Sequence, residues 1–158
     1  MDQLDEVALH ALGLIGVYGW QVTYVGAGKG TSPFAYTAGL TEIGEPELML
    51  ILAAPHGILH PILNDLAGRV LAGLRLQPGD RVSDVLEGPY DVMICGPVPD
   101  KAMNAAAGYF PGVARSIYGR DRVRVCQVVV PDGEGRFPWQ DGYFMPSQPL
   151  IGPVPGTG

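Results

Sequence analysis

Residues 47–54 read ELMLILAA, a run that is apolar at odd and even positions alike after its first residue. A strand with one wet face alternates, so this run reads as a strand in the middle of a sheet and should be the most buried strand in the chain. Its neighbours are legible on both sides. Trp20, Val22 and Tyr24 alternate with Gln21 and Thr23, and Phe34, Tyr36 and Ala38 alternate with Ala35 and Thr37. These spacings predict two strands joined by a long loop. Further strands are expected in RVSDVL (81–86), YDVMICG (90–96) and VRVCQVVV (123–130).

Helical spacing is found in three places. Over residues 3–15 it puts Leu4, Val7, Ala8, Ala11 and Ile15 on one face, with Asp2 as an N-cap and Gly16 or Gly19 as the stop. In residues 61–74, Ile62, Leu63, Leu66, Ala67, Val70, Leu71 and Leu74 form a broad stripe opposite Asn64, Asp65, Gly68 and Arg69. Proline biases its predecessor away from the α region, so this helix is expected to start at Pro61, with His60 outside it. Asp100 can cap a short helix over residues 101–110, where Ala102, Ala106 and Tyr109 share a face. The element order predicts an α+β fold: one domain over residues 1–152, a mainly antiparallel sheet packed against two or three helices, and a flexible tail at 153–158. RFPWQDGYF and PSQPLIGPVPGTG carry too many prolines for regular structure and should wrap the surface.

A chain of 158 residues suffices for one domain with a real core. Its 23 glycines and 15 prolines punctuate apolar runs and follow no repeat, so they read as turns. A net charge of −6 opposes binding to nucleic acid or to anionic membranes, both of which need a cationic surface. No apolar run reaches a spanning length, and the acidic start lacks a signal peptide's basic region, so a cytoplasmic protein is expected. Cys95 and Cys126 sit in apolar stretches at a spacing that fits no zinc or redox motif, and read as buried reduced thiols.

Four motifs invite a functional reading. YVGAGKGTSPFAYTAGL (24–40) has glycines around Lys29, but a P-loop needs a glycine where Thr23 stands and a Ser or Thr where Gly30 stands. The dinucleotide fingerprint fails at Thr31, and a strand follows where a helix should begin. The segment therefore reads as a loop between strands, and no cofactor is expected. His56 and His60 have the i, i+4 spacing of zinc ligands, yet no glutamate lies between them and Pro61 should make the rings diverge; a carboxylate such as Asp65 would be needed to complete a site. Arg115, Arg120, Arg122 and Arg124 read as a solvated face diluted by Asp121. Gln127 is the polar residue of an otherwise apolar strand, so its amide must find partners: a ligand, or the backbone of the neighbouring strand.

The segments GWQVTYV, PFAYTAGLTEIGEPEL, ILNDLAGRV, CQVVVPD and RFPWQDGY together resemble the bacterial family called domain of unknown function 4262 over roughly residues 18–152. Phe34, Tyr36, Gly39, Pro46, Glu47, Asn64, Gln127, Pro131, Asp132, Phe137, Pro138 and Trp139 fall where that family has the same residues. The glycine-rich loop looks elongated beside the family pattern and takes no role from it. The resemblance implies no activity; it offers polar and aromatic residues at strand and loop ends, where Tyr36, Glu47, His56, Gln127, Asp132 and Trp139 could form a pocket. The leading expectation is a non-catalytic protein that binds a protein or small molecule through Phe137, Trp139, Tyr143 and Phe144 in its proline-rich C-terminal region. The alternative is an enzyme, such as a metal-assisted hydrolase, using His56 or His60 with Asp132 or Glu47. A homodimer whose tail crosses to its mate is a third.

Overall fold

The computed structural model describes residues 5–105, 108–144 and 146–154. The chain forms helix α1 (Glu6–Tyr18), strands β1 (Gln21–Val25) and β2 (Phe34–Ala38), a 3-10 turn (Leu40–Ile43), β3 (Glu47–Ile51), α2 (His56–Leu71), β4 (Arg81–Val82), β5 (Val92–Cys95), α3 (Asp100–Ala105), α4 (Gly112–Tyr118) and β6 (Val125–Val129). The six strands make one sheet in the order β1-β2-β3-β6-β5-β4. Every neighbouring pair is antiparallel except the central β3 and β6. The α+β expectation with a mainly antiparallel sheet holds. The two-sided apolar run accordingly sits at the centre of the sheet, with all five residues of β3 buried.

Alternation along the strands divides the core into two layers. Leu48, Leu50, Cys126, Val128, Val92 and Ile94 face α2, which buries Leu59, Ile62, Leu63, Leu66, Ala67 and Val70 against them. On the opposite face, Tyr36, Met49, Ile51 and Val125 pack with Ile15 of α1, Met103 of α3 and Ala114 of α4. Met93, Cys95 and Val129 are covered there by Phe137, with Trp139 and Leu150 at the margin. Cys95 and Cys126 thus belong to different layers; both are free, and burial pushes the Cys95 thiol up to about 12.

Several local expectations need correction. The helix at Pro61 begins five residues earlier, at His56, with Pro61 inside it. An interior proline costs about 3 kcal/mol where it breaks a buried turn. Here the carbonyl it leaves without a partner belongs to Gly57, which is exposed and can turn to water. The extra turn also delivers Leu59, which is fully buried, and that burial returns about 2 kcal/mol. Asp5 caps α1 by accepting from the Ala8 amide, 2.8 Å away; Asp2 and Leu4 lie outside the described residues, and Val7 faces solvent. The strand expected over 81–86 stops at Val82, because Arg69 takes the Ser83 and Asp84 carbonyls and Asp84 turns to φ +63°. The helix expected over 101–110 starts at Asp100 itself, not after it, and is described as far as Ala105; Ala106 lies outside the described residues. Helix α4, between Pro111 and Gly119, had no visible periodicity and was not expected.

The glycine-rich segment is the β1-β2 connection, turned by an isolated bridge between Gly28 and Thr31. The C-terminal segment is fixed to β6 as far as Ile151. Gln127 donates to the Pro149 carbonyl (2.7 Å) and accepts from the Ile151 amide (3.1 Å), while Gln148 pairs with both backbone groups of Val130. Residues 155–158 of the expected tail lie outside the described residues.

Candidate functional site

The six pocket candidates do not gather at one place. Tyr36 and Gln127 share a cross-strand row through Met49, but each is already engaged. The Tyr36 hydroxyl accepts from the Val113 amide at the start of α4 (2.9 Å), and Gln127 holds the C-terminal segment. Glu47 is fully buried at the start of β3 and accepts five hydrogen bonds, from the amides of Gly39, Leu40 and Thr41 and the hydroxyls of Thr37 and Thr41. Burial pushes its carboxyl upward, and the Thr41, Thr37 and Leu40 hydrogen bonds oppose the rise. Three of its partners are backbone N–H groups that can only donate, so the carboxylate is the acceptor that shapes the 3-10 turn. Asp132 does the same for the turn after β6, accepting from the Glu134, Arg136 and Phe144 amides and the Arg136 guanidinium. Burial would raise its carboxyl, but those donors together hold it below the usual range.

Trp139 is half-buried and stacks on Phe137, 5.2 Å between centroids with the rings 7° from parallel. Phe137 is core, and Arg81 lies against its ring. Tyr143 is half-buried, donating to the Pro146 carbonyl and accepting from Gln148, which leaves Phe144 as the most exposed of the four C-terminal aromatics. The arginines have local partners: Arg115 and Arg120 pair with Asp100, Arg122 lies over Tyr118, and Arg124 donates to the Gly44 carbonyl.

The two histidines behave otherwise. Because α2 starts at His56, the rings lie one turn apart on the same side of the helix, 4.7 Å between centroids; the expected divergence does not occur. Tyr24 of β1 meets His56 edge-on at 5.4 Å. Asp65, the carboxylate expected to complete a metal site, is paired with Arg69 at 2.6 Å. Among the described residues no group of three His, Cys, Asp or Glu side chains could hold a metal ion.

His60 opens onto a cleft of about 450 Å³ formed by α1, β1 and α2 and lined by Leu14, Tyr18, Trp20, Gln21, Val22, His60 and Asn64. No residue of this lining carries a formal charge when His60 is neutral. Gly19 ends α1 at φ +96°, turning the chain so that Trp20 lies across α2 beside Gly68. The Trp20 indole N–H donates to Asn64 Oδ1 (2.9 Å), and the Asn64 amide nitrogen sits 2.8 Å from His60 Nδ1. An indole nitrogen has only a proton to offer, so it fixes which end of the Asn64 amide is oxygen. The NH2 end must then face His60, and Nδ1 must accept. Neutral His60 consequently carries its proton on Nε2. Burial and then the neighbouring His56 hold its pKa below the ordinary value. Gln21 is tied to the Val22 carbonyl and the Thr23 hydroxyl, while His60 Nε2, like the exposed Tyr18 hydroxyl, makes no hydrogen bond to another described residue.

Residues 14–144 match the family model described as Domain of unknown function (DUF4262). The chain belongs to this family. Neither the curated proteins nor the solved structures contain a match to it. Sequence reasoning pointed to His60 but passed over Trp20 and Asn64 as a strand residue and a polar helix face. The usable signal was the spacing of four between His60 and Asn64, which puts an amide over an imidazole once the helix is known to include both.

Proposed function

We propose that this DUF4262 protein is a non-catalytic binding protein that takes a small, flat, largely apolar molecule in the cleft between α1, β1 and α2. The observation that carries this reading is the cleft itself: an aromatic and aliphatic lining, no charged side chain, and one oriented donor at His60. Pockets of this size with few convergent polar groups are the usual form of a small-molecule site. The enzyme alternative has less support, since His60 offers neither a free lone pair at Nε2 nor a carboxylate partner, and Glu47 and Asp132 are engaged in turns. The C-terminal aromatic surface also has less support, because Phe137 belongs to the core.

The test is a titration with the aromatic fragments indole and acetophenone, followed in 1H–15N spectra. Shifts should concentrate on Leu14, Tyr18, Gln21 and Val22 and on the Trp20 indole N–H. Shifts confined to Trp139 and Phe144 would move binding to the C-terminal surface, and none at all would reject a small-ligand role.

A second reading, a homodimer through α1, is favoured by the exposed apolar side chains this helix carries away from the cleft, Val7, Leu9 and Val17. Light scattering should then give twice the chain mass, and Val17→Lys should return the monomer. A cytoplasmic location fits either reading, since both cysteines are free and buried; no helix among the described residues is long and apolar enough to cross a membrane.

A further inference from the structure

Resting on the small-molecule reading of the same cleft, we infer that its ligand is an uncharged aromatic or heteroaromatic compound bearing a hydrogen-bond acceptor, such as a ketone, amide or ester carbonyl, which His60 Nε2–H receives. The direction of the donor is set two residues away. Trp20 can only donate, so Asn64 presents its oxygen to Trp20 and its NH2 to His60, and the imidazole is left with its one proton on Nε2. The other tautomer would set the Asn64 NH2 against an Nδ1–H, two donors with no acceptor between them, which costs about as much as leaving a buried donor unpaired.

Ligand charge is excluded by the same surroundings. The titratable groups near His60 are His56 one turn earlier on α2, Tyr18 on α1 and, beyond His56, Tyr24 on β1; no carboxylate, lysine or arginine lines the cleft. A cation would meet an N–H donor and no anion. A carboxylate could accept from Nε2, but it would lose its water against Leu14, Trp20 and Val22 with no positive charge in return. A metal ion needs the lone pair that the tautomer has placed on Nδ1, where Asn64 occupies it.

Four probes of one ring size separate the possibilities when titrated against the intact chain, each followed at the Trp20 indole N–H: acetophenone, toluene, benzoate and benzylamine. Acetophenone should bind about fivefold or more tightly than toluene, the value of one added hydrogen bond, with benzoate and benzylamine weaker than both. In His60→Phe, which keeps a ring at the position without the N–H, acetophenone should fall to the level of toluene. Equal binding of acetophenone and toluene to the wild type would overturn this inference while leaving the cleft as a small-molecule site. Preference for benzoate or benzylamine would overturn it as well. Failure of all four to bind would reject both this inference and the reading on which it rests.

Discussion

Glu47 at the start of the central strand β3 and His60 on α2 are both polar side chains held by hydrogen bonds, yet they end differently. The carboxylate of Glu47 is fully buried and receives five donors, three of them main-chain amides that no other residue serves. His60 is half-buried, receives one hydrogen bond from Asn64, and keeps a donor unpaired beside an apolar cleft. A polar group whose capacity is fully met inside the protein shapes the backbone around it. One with capacity left over at a cleft is available to something else. This difference, more than residue type or burial, separates structure from candidate site in this fold.

The sharpest way to break the comparison is Glu47→Ala. Removing the carboxylate strands the amides of Gly39, Leu40 and Thr41, so stability in urea unfolding should drop by at least about 3 kcal/mol. A change near zero would mean that Glu47 does not organise the turn. Gln127→Ala comes next. It frees the Pro149 carbonyl and the Ile151 amide, and should cost about 2 kcal/mol and expose the peptide bonds after Gln148 to limited proteolysis. Trp20→Phe keeps a ring over α2 but removes the indole donor; stability should fall by only about 1 kcal/mol, while the fixed orientation of the Asn64 amide is lost. If Trp20→Phe proved as damaging as Glu47→Ala, the chain at the cleft would be structural too.

The smallest effect concerns pH. His60 has a pKa below its ordinary value in the fold, so the unfolded chain takes up the proton first as pH falls. The associated stability is complete above about pH 6.5 and declines as pH drops through the folded value. The loss in urea midpoint between about pH 7 and about pH 5 should therefore be larger for the wild type than for His60→Ala. The opposite order would show that His60 gains a partner for its charged form in the fold.

The sheet was legible because its signals are local. The two-sided run at β3 and the alternation of β1 and β2 name their own environment, and the expected strands do pair around β3 and β6. The failures were cases where a local rule met a tertiary one. Pro61 argued for a late helix start, but Leu59 had a place in the core and Gly57 had water for its carbonyl, so the helix gained a turn. That turn made the site: without it His56 and His60 would not share a side, and Asn64 would not stand over His60. Helix α4 is short, flanked by Pro111 and Gly119, and buries only Ala114 fully, which leaves almost no period to read. Gln127 was rightly marked as needing partners, but those partners come from residues 149 and 151, and no pattern in the sequence announces a contact between an irregular segment and a central strand.

The whole account of the cleft depends on one proton. Long-range 1H–15N spectra of the unliganded protein at about pH 7 report which nitrogen of each imidazole carries the proton, and assignment of His60 needs only a His60→Ala control. The hydrogen-bond order from Trp20 through Asn64 requires His60 to be neutral and protonated at Nε2. A spectrum showing the proton on Nδ1, or an imidazolium, would contradict it.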